Sequence, residues 1–138
     1  MVVVDRDDDQ YTALMEQLEN AARDARLTTR VQGPGGRVIN RLAIEELEAW
    51  FFGDWEAVLR AYPKVHRTVP NRSGYRDPDA IRGGFGRLLK DAYNVVWYFR
   101  TGLRKVEAAR TIAQHMDPNK NRSASFQGFR AALTEMTR

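Results

Sequence analysis

The chain has 138 residues, 43% of them hydrophobic, and a formal net charge of +4. That suits one globular domain with a real core, and no apolar run approaches the roughly 20 residues of a membrane span. The absence of cysteine excludes disulfides and thiolate metal sites, which fits a cytoplasmic setting. His66 and His115 are the only histidines, too few for a His-rich zinc centre.

The first element is the β-branched run Val2, Val3, Val4, which predicts a short buried strand. It runs into Asp5, Arg6, Asp7, Asp8 and Asp9. From Gln10 to Arg26 the positions Tyr11, Leu14, Met15, Leu18 and Ala22 recur at helical spacing, with Asp8 or Asp9 as the expected cap. Gly33, Pro34, Gly35 and Gly36 break the chain. Arg37 to Ile44 is β-rich and reads as a second strand, so the order strand, helix, strand predicts a parallel βαβ unit.

Glu45 to Phe52 reads as a short helix or turn, and Asp54 is placed to cap a helix from Trp55 to Tyr62 that Pro63 ends. Lys64 to Tyr75 is loop-like. Asp77-Pro78 starts a helix that Gly83, Gly84 and Gly86 weaken and Leu88, Leu89 and Ala92 resume. A helix from Lys105 to Met116 follows, with Val106, Ala109, Ile112, Ala113 and Met116 as its inner face. Asp117-Pro118 closes it. Ser123 or Ser125 then caps a last helix whose inner face carries Phe126, Phe129, Ala132, Leu133 and Met136. The organisation expected is a single domain, residues 1–138. Residues 1–54 form the βαβ part with the acidic cluster, and residues 55–138 form a mostly helical part.

Three groups could carry chemistry. Side chains alternate along a strand, so Asp5 and Asp7 point the same way, and ligands of open α/β sheets sit outside the carboxyl ends of the strands. Glu45, Glu46 and Glu48 follow the second strand. If the strands are parallel neighbours, both acidic groups share one edge, and converging carboxylates repel unless a cation neutralises them. Hard oxygen ligands suit Mg²⁺ or Mn²⁺. Against this stands a solvated acidic turn and a helix with a solvated acidic face. The third group is Asn119 to Phe126. There Arg122, Ser123, Ser125 and helix-terminal amides suit phosphate, and equally make a ligand-free cap. His115 sits at the end of the preceding helix, where it can satisfy the terminus or act as an acid or base. Lys105 opens that helix, as a phosphate contact or a solvated charge.

Two stretches carry a family likeness: DRDDD after the strand with LAIEELEAWFFGD (Leu42 to Asp54), and RKVEAARTIAQHMDPNKNRSASFQGF (Arg104 to Phe129). Together they resemble the bacterial, Toprim-like domain-of-unknown-function 4276 family. The resemblance implies an α/β fold: a truncated Toprim-like (Rossmannoid) domain, with a small parallel sheet flanked by helices and a helix-rich C-terminal half. Toprim sites hold Mg²⁺ between a Glu on an early strand and an Asp-x-Asp pair on a later one. Asp5 and Asp7 match that pair and Glu48 matches the family's Glu-Ala-Trp; the early Glu-bearing strand that the resemblance implies is absent from this sequence, which is expected either to start downstream of the true start or to be a degenerate form. The family's Lys, His-Met-Asp and Asn-Arg-Ser-x-Ser-Phe positions match Lys105, His115-Met116-Asp117 and Asn121 to Phe126.

The expected function is therefore Mg²⁺- or Mn²⁺-dependent phosphodiester cleavage. Asp5, Asp7 and Glu48 would be the metal ligands, and Glu48 and His115 the catalytic residues. Lys105, Arg122, Ser123 and Ser125 would hold phosphate. The alternative is a non-catalytic partner subunit that binds an ATPase or nucleic acid in a defence or repair system. Its exposed sheet edge would favour pairing, including as a homodimer. No membrane partner is expected.

Overall fold

Val2–Asp5 forms strand β1 and Asn40–Ala43 forms strand β2, in a computed structural model that describes residues 1–6, 9–44, 49–81 and 105–137. The strands pair in parallel, with Val2 opposite Asn40 and Asp5 opposite Ala43. Helix α1, Tyr11–Asp24, is the crossover between them. The expected βαβ unit is present, and the chain is α/β with a small parallel sheet and five α-helices among the described residues.

Helix α1 meets the sheet along the predicted stripe. Ala22 is buried and Leu14, Met15 and Leu18 are half-buried, while Tyr11 at the helix start lies half exposed. Its N-cap is Gln10, which makes no side-chain cap bond; Asp9 is exposed and does not fill that role. The polar fastening is at the other end. The Glu19 carboxylate accepts from the buried Asn40 side chain at 2.9 Å and from the buried Thr29 hydroxyl, so one anion ties helix, loop and β2 together. A charge-assisted bond of this kind is about twice as strong as a neutral one.

The second strand is shorter than expected. Val38 leaves the sheet proper to make an isolated parallel bridge with Thr29, and Arg37 donates to the Thr28 carbonyl. Gly36 is what lets the two segments close up. A Cβ there would lie 2.2 Å from the carbonyl carbon and oxygen of Thr29.

The helical half holds the main core. Helices α2 (Ala49–Gly53), α3 (Trp55–Ala61) and α4 (Lys105–Ala113) converge on Phe52, Trp55, Val58, Val69 and Ile112. Phe52 and Trp55 lie tilted with centroids 5.0 Å apart, and the Trp55 indole N–H donates to the His66 carbonyl at 3.3 Å. Asp54 caps α3 as expected, accepting from Ala57 N–H. Pro78–Ala80 is a single 3₁₀ turn. The continuation of that element, Gly83 to Ala92, lies outside the described residues.

Two predicted faces are corrected. On α4 the buried positions are Ala108 and Ile112, with Ala109 and Met116 beside them, whereas Val106 is 68% exposed and Ala113 is exposed. Ile112, Ala109 and Met116 of the predicted stripe meet the core as expected, and Ala108, one turn before Ile112, takes the place expected of Val106 and Ala113. Helix α5, Ala124–Met136, buries Ala132 and half-buries Phe126 and Phe129, but Leu133 and Met136 are exposed. Helix α5 lies along β2, where the Arg41 guanidinium reaches the Gly128 carbonyl at 3.4 Å, and Arg30 pairs with Glu135 near its end, while Leu133 and Met136 face away from these contacts. No helix among the described residues is long and apolar enough to cross a membrane.

The C-terminus of α1 ends in a Schellman arrangement: Leu27 N–H bonds the Ala22 carbonyl and Arg26 N–H bonds the Arg23 carbonyl. The left-handed residue it requires is Arg26, at φ 56°. Glycine adopts that conformation without the Cβ penalty. Arg26→Gly is therefore expected to stabilise the chain by about 0.5–1 kcal/mol. Thermal denaturation checks this, and a lowered midpoint would contradict it.

Candidate functional site

The parallel register brings the carboxyl ends of both strands side by side. Asp5 closes β1 opposite Ala43, the last residue of β2, and Arg6 N–H donates to the Ala43 carbonyl at 3.0 Å. Asp5 is half-buried there. The chain thus leaves both strands at one edge, as the acidic-site reading requires. Asp7, Asp8, Glu45, Glu46 and Glu48 lie outside the described residues. Among the described residues no group of three or more His, Asp or Glu side chains is placed to hold a metal ion.

The Asn-Arg-Ser-x-Ser segment is fully described, and its partners come from distant parts of the chain. Asn121 is buried and bridges two backbones. Its amide donates to the Trp50 carbonyl at 2.8 Å, and its side-chain oxygen accepts from Ser123 N–H at 2.9 Å. Arg122 N–H donates to the Gly53 carbonyl at 2.9 Å, while the Arg122 side chain lies exposed. Helix α2 and the segment leading into α5 meet so closely that a Cβ on Gly53 would lie 1.8 Å from Asn121 Oδ1.

Ser123 is the N-cap of α5, accepting from Phe126 N–H at 3.0 Å. Its hydroxyl donates to Asp79 Oδ1 at 2.7 Å, and so does that of Ser125. Ser125 N–H donates to Asp79 Oδ2 at 3.0 Å, and the Trp50 indole donates to Ser125 Oγ at 2.8 Å. The Asp79 carboxylate therefore sits at the N-terminus of α5. There it meets the helix dipole, one amide and two hydroxyls, the donors that would otherwise suit a bound phosphate. Of the two readings of this segment, the described contacts form the cap. Trp50 completes it with an edge-to-face contact to Phe126 at 5.4 Å and a tilted one to Phe129 at 4.9 Å.

His115 is half-buried just beyond α4, its N–H bonded to the Ile112 carbonyl. Lys105 is the first residue of α4. Asp117 N–H donates to Asp54 Oδ2 at 2.7 Å, so the buried cap of α3 also holds the chain after α4. The Asn119 backbone N–H, with a lesser contribution from Lys120, holds the Asp117 carboxyl below the usual carboxylate range. A depressed acid of this kind contributes stability above its unfolded pKa and loses it as pH falls through the lowered value.

Sequence reasoning passed over Asp79. Its neighbours Asp77 and Pro78 mark a turn start, and Asp77 indeed caps that turn by accepting from Asp79 N–H. The serines that use the Asp79 side chain stand 44 and 46 residues away, beyond any local signal.

Removing the Asp79 carboxylate strands one amide and two hydroxyls. Asp79→Ala is expected to lower stability by about 1–3 kcal/mol, and Gly53→Ala by about 1–3 kcal/mol or more through overpacking against Asn121. Urea denaturation monitored by tryptophan fluorescence reads both. Wild-type midpoints would show that the knot contributes nothing.

The family model of the Domain of unknown function (DUF4276) matches residues 1–136. No curated protein and no solved structure matches the chain. The match spans the strand pair, the crossover helix and the serine-capped last helix alike, and the chain belongs to the DUF4276 family.

Proposed function

We propose that the chain is a Toprim-like enzyme that cleaves phosphodiesters with Mg²⁺ or Mn²⁺. One observation carries the reading: Asp5 ends β1 directly beside the last residue of parallel β2, so both acidic stretches of the sequence depart from one sheet edge. Asp7 follows two residues after Asp5, and Glu48 immediately precedes α2. These three carboxylates are the proposed ligands. An all-oxygen donor set fits a hard divalent cation, and the half-burial of Asp5 limits competition from water. A bound metal would supply a Lewis acid for a phosphate oxygen and a more acidic water.

Glu48 and His115 are the proposed acid–base residues, and Lys105 and Arg122 the proposed phosphate contacts. Ser123 and Ser125 enter as residues that hold the Arg122 segment in place, since Asp79 takes both hydroxyls. The partner-subunit reading draws on a different observation. Among the described residues the sheet has two strands, so β1 offers one edge to another chain, a second copy or an ATPase subunit.

The test is a calorimetric Mn²⁺ and Mg²⁺ titration, followed by a nuclease assay on DNA and RNA, with wild type and Asp5→Ala/Asp7→Ala. Saturable binding and metal-dependent cleavage are expected in the wild type, and both are lost in a variant that keeps its thermal midpoint within a few degrees. Absence of binding at millimolar metal would overturn the enzymatic reading. Self-association by light scattering would then favour the partner role.

A further inference from the structure

The end of α3 and the segment after it have an unusual charge pattern. Between Glu56 and Asp77 there is no acidic residue, while Arg60, Lys64, His66, Arg67, Arg72 and Arg76 all fall inside. Every one of these six is exposed. The apolar residues between them point the other way: Tyr62, Val65 and Val69 are buried members of the main core, with Tyr75 packed against it. The segment therefore sorts its large apolar side chains inward and its positive charges outward.

Its backbone is ordered by its own turns. Val65 N–H bonds the Tyr62 carbonyl, Asn71 N–H the Thr68 carbonyl, Arg72 N–H the Val69 carbonyl and Tyr75 N–H the Arg72 carbonyl. The Arg76 guanidinium donates to the Asn71 carbonyl. Arg67 meets Glu56 at 3.2 Å, a pair exposed on both sides and so weakly held. The charges are thus mounted on a fixed frame anchored in the core, and the segment itself carries no acidic side chain.

We infer that residues 60–76 form a docking surface for the phosphate backbone of nucleic acid. The inference rests on the phosphodiester reading for the choice of a phosphate polymer, and on charge complementarity for the surface itself. Arginine dominates the set, and its planar fork suits phosphate oxygens. A lipid surface fits less well. Membrane-binding segments present apolar side chains beside their cations, and here Tyr62, Val65 and Val69 are turned into the core. Binding through backbone phosphates is sequence-independent and depends on released counterions.

The test is fluorescence anisotropy with a short labelled duplex DNA, in EDTA and without divalent metal, so that failure of the metal site leaves it intact. Wild-type binding is expected to weaken steeply between about 50 and 200 mM salt. Arg60→Ala/Lys64→Ala/Arg72→Ala should weaken it about tenfold or more and flatten the salt slope by roughly 0.9 for each phosphate no longer neutralised. The matched control Arg23→Ala/Arg37→Ala/Arg110→Ala removes as many exposed cations elsewhere and should keep the wild-type slope. Thermal midpoints establish that both variants fold. Absence of salt-dependent binding by the wild type, or equal weakening in both variants, would overturn the inference. Segment-dependent binding to phosphatidylglycerol vesicles without binding to the duplex would overturn it too.

Discussion

Much of this fold hangs on a primary amide pressed against a bare Cα. Asn121 joins the Trp50 carbonyl to the backbone of the last helix, and it can do so because residue 53 has no side chain. The amide is buried, so its bonds are made at a place where water offers no substitute, and each unmade one would cost the full desolvation of the group. From that contact follow the position of the Ser123 cap, the approach of Asp79, and the seat of Trp50 between Phe126 and Phe129. Helix α5 then has one end fixed in the knot and its flank laid along β2.

The sheet alone is too small to organise a domain, since a two-stranded sheet buries little. It is held by what surrounds it. Glu19 ties the crossover helix to Asn40 at the start of β2, and α5 covers the strand from the other direction. The apolar weight sits instead among α2, α3 and α4, where Asp54 caps one helix and grips the chain after another. The two halves of the fold share α2 and the polar knot beside it. Chemistry placed at the strand ends would thus sit close in sequence to the junction of α2 with the segment before α5, because Glu48 is bonded directly to the first residue of α2.

How much of this could be read from the residues depended on range. The three valines, the helical spacing from Tyr11 to Ala22 and the Gly-Pro-Gly-Gly break are local, and they sufficed for the βαβ unit. The caps by Asp54 and Ser123 are local too, each bonding an amide three residues on. Periodicity identified α4 and α5 as amphipathic and most of their inner positions, but placed a few residues inward that are exposed. Val106, Leu133 and Met136 have the right spacing and lack a facing surface among the described residues, so they stay exposed. Asp79 was illegible because a carboxylate announces nothing about serines far along the chain. The end of β1 at Asp5 and the parallel register were legible in the sequence; Asp7 and Glu48 stand outside the described residues.

The bond between Asn121 and the Trp50 carbonyl joins residues 71 positions apart. Contacts of such separation form late, because the chain must first lose the freedom of a long loop. Synthesis makes the carbonyls of Trp50 and Gly53 well before their distant partners, the Asn121 amide and the Arg122 N–H. The aromatic run at positions 50–52 waits with them, a sticky stretch that a nascent chain must keep from neighbours on the same message.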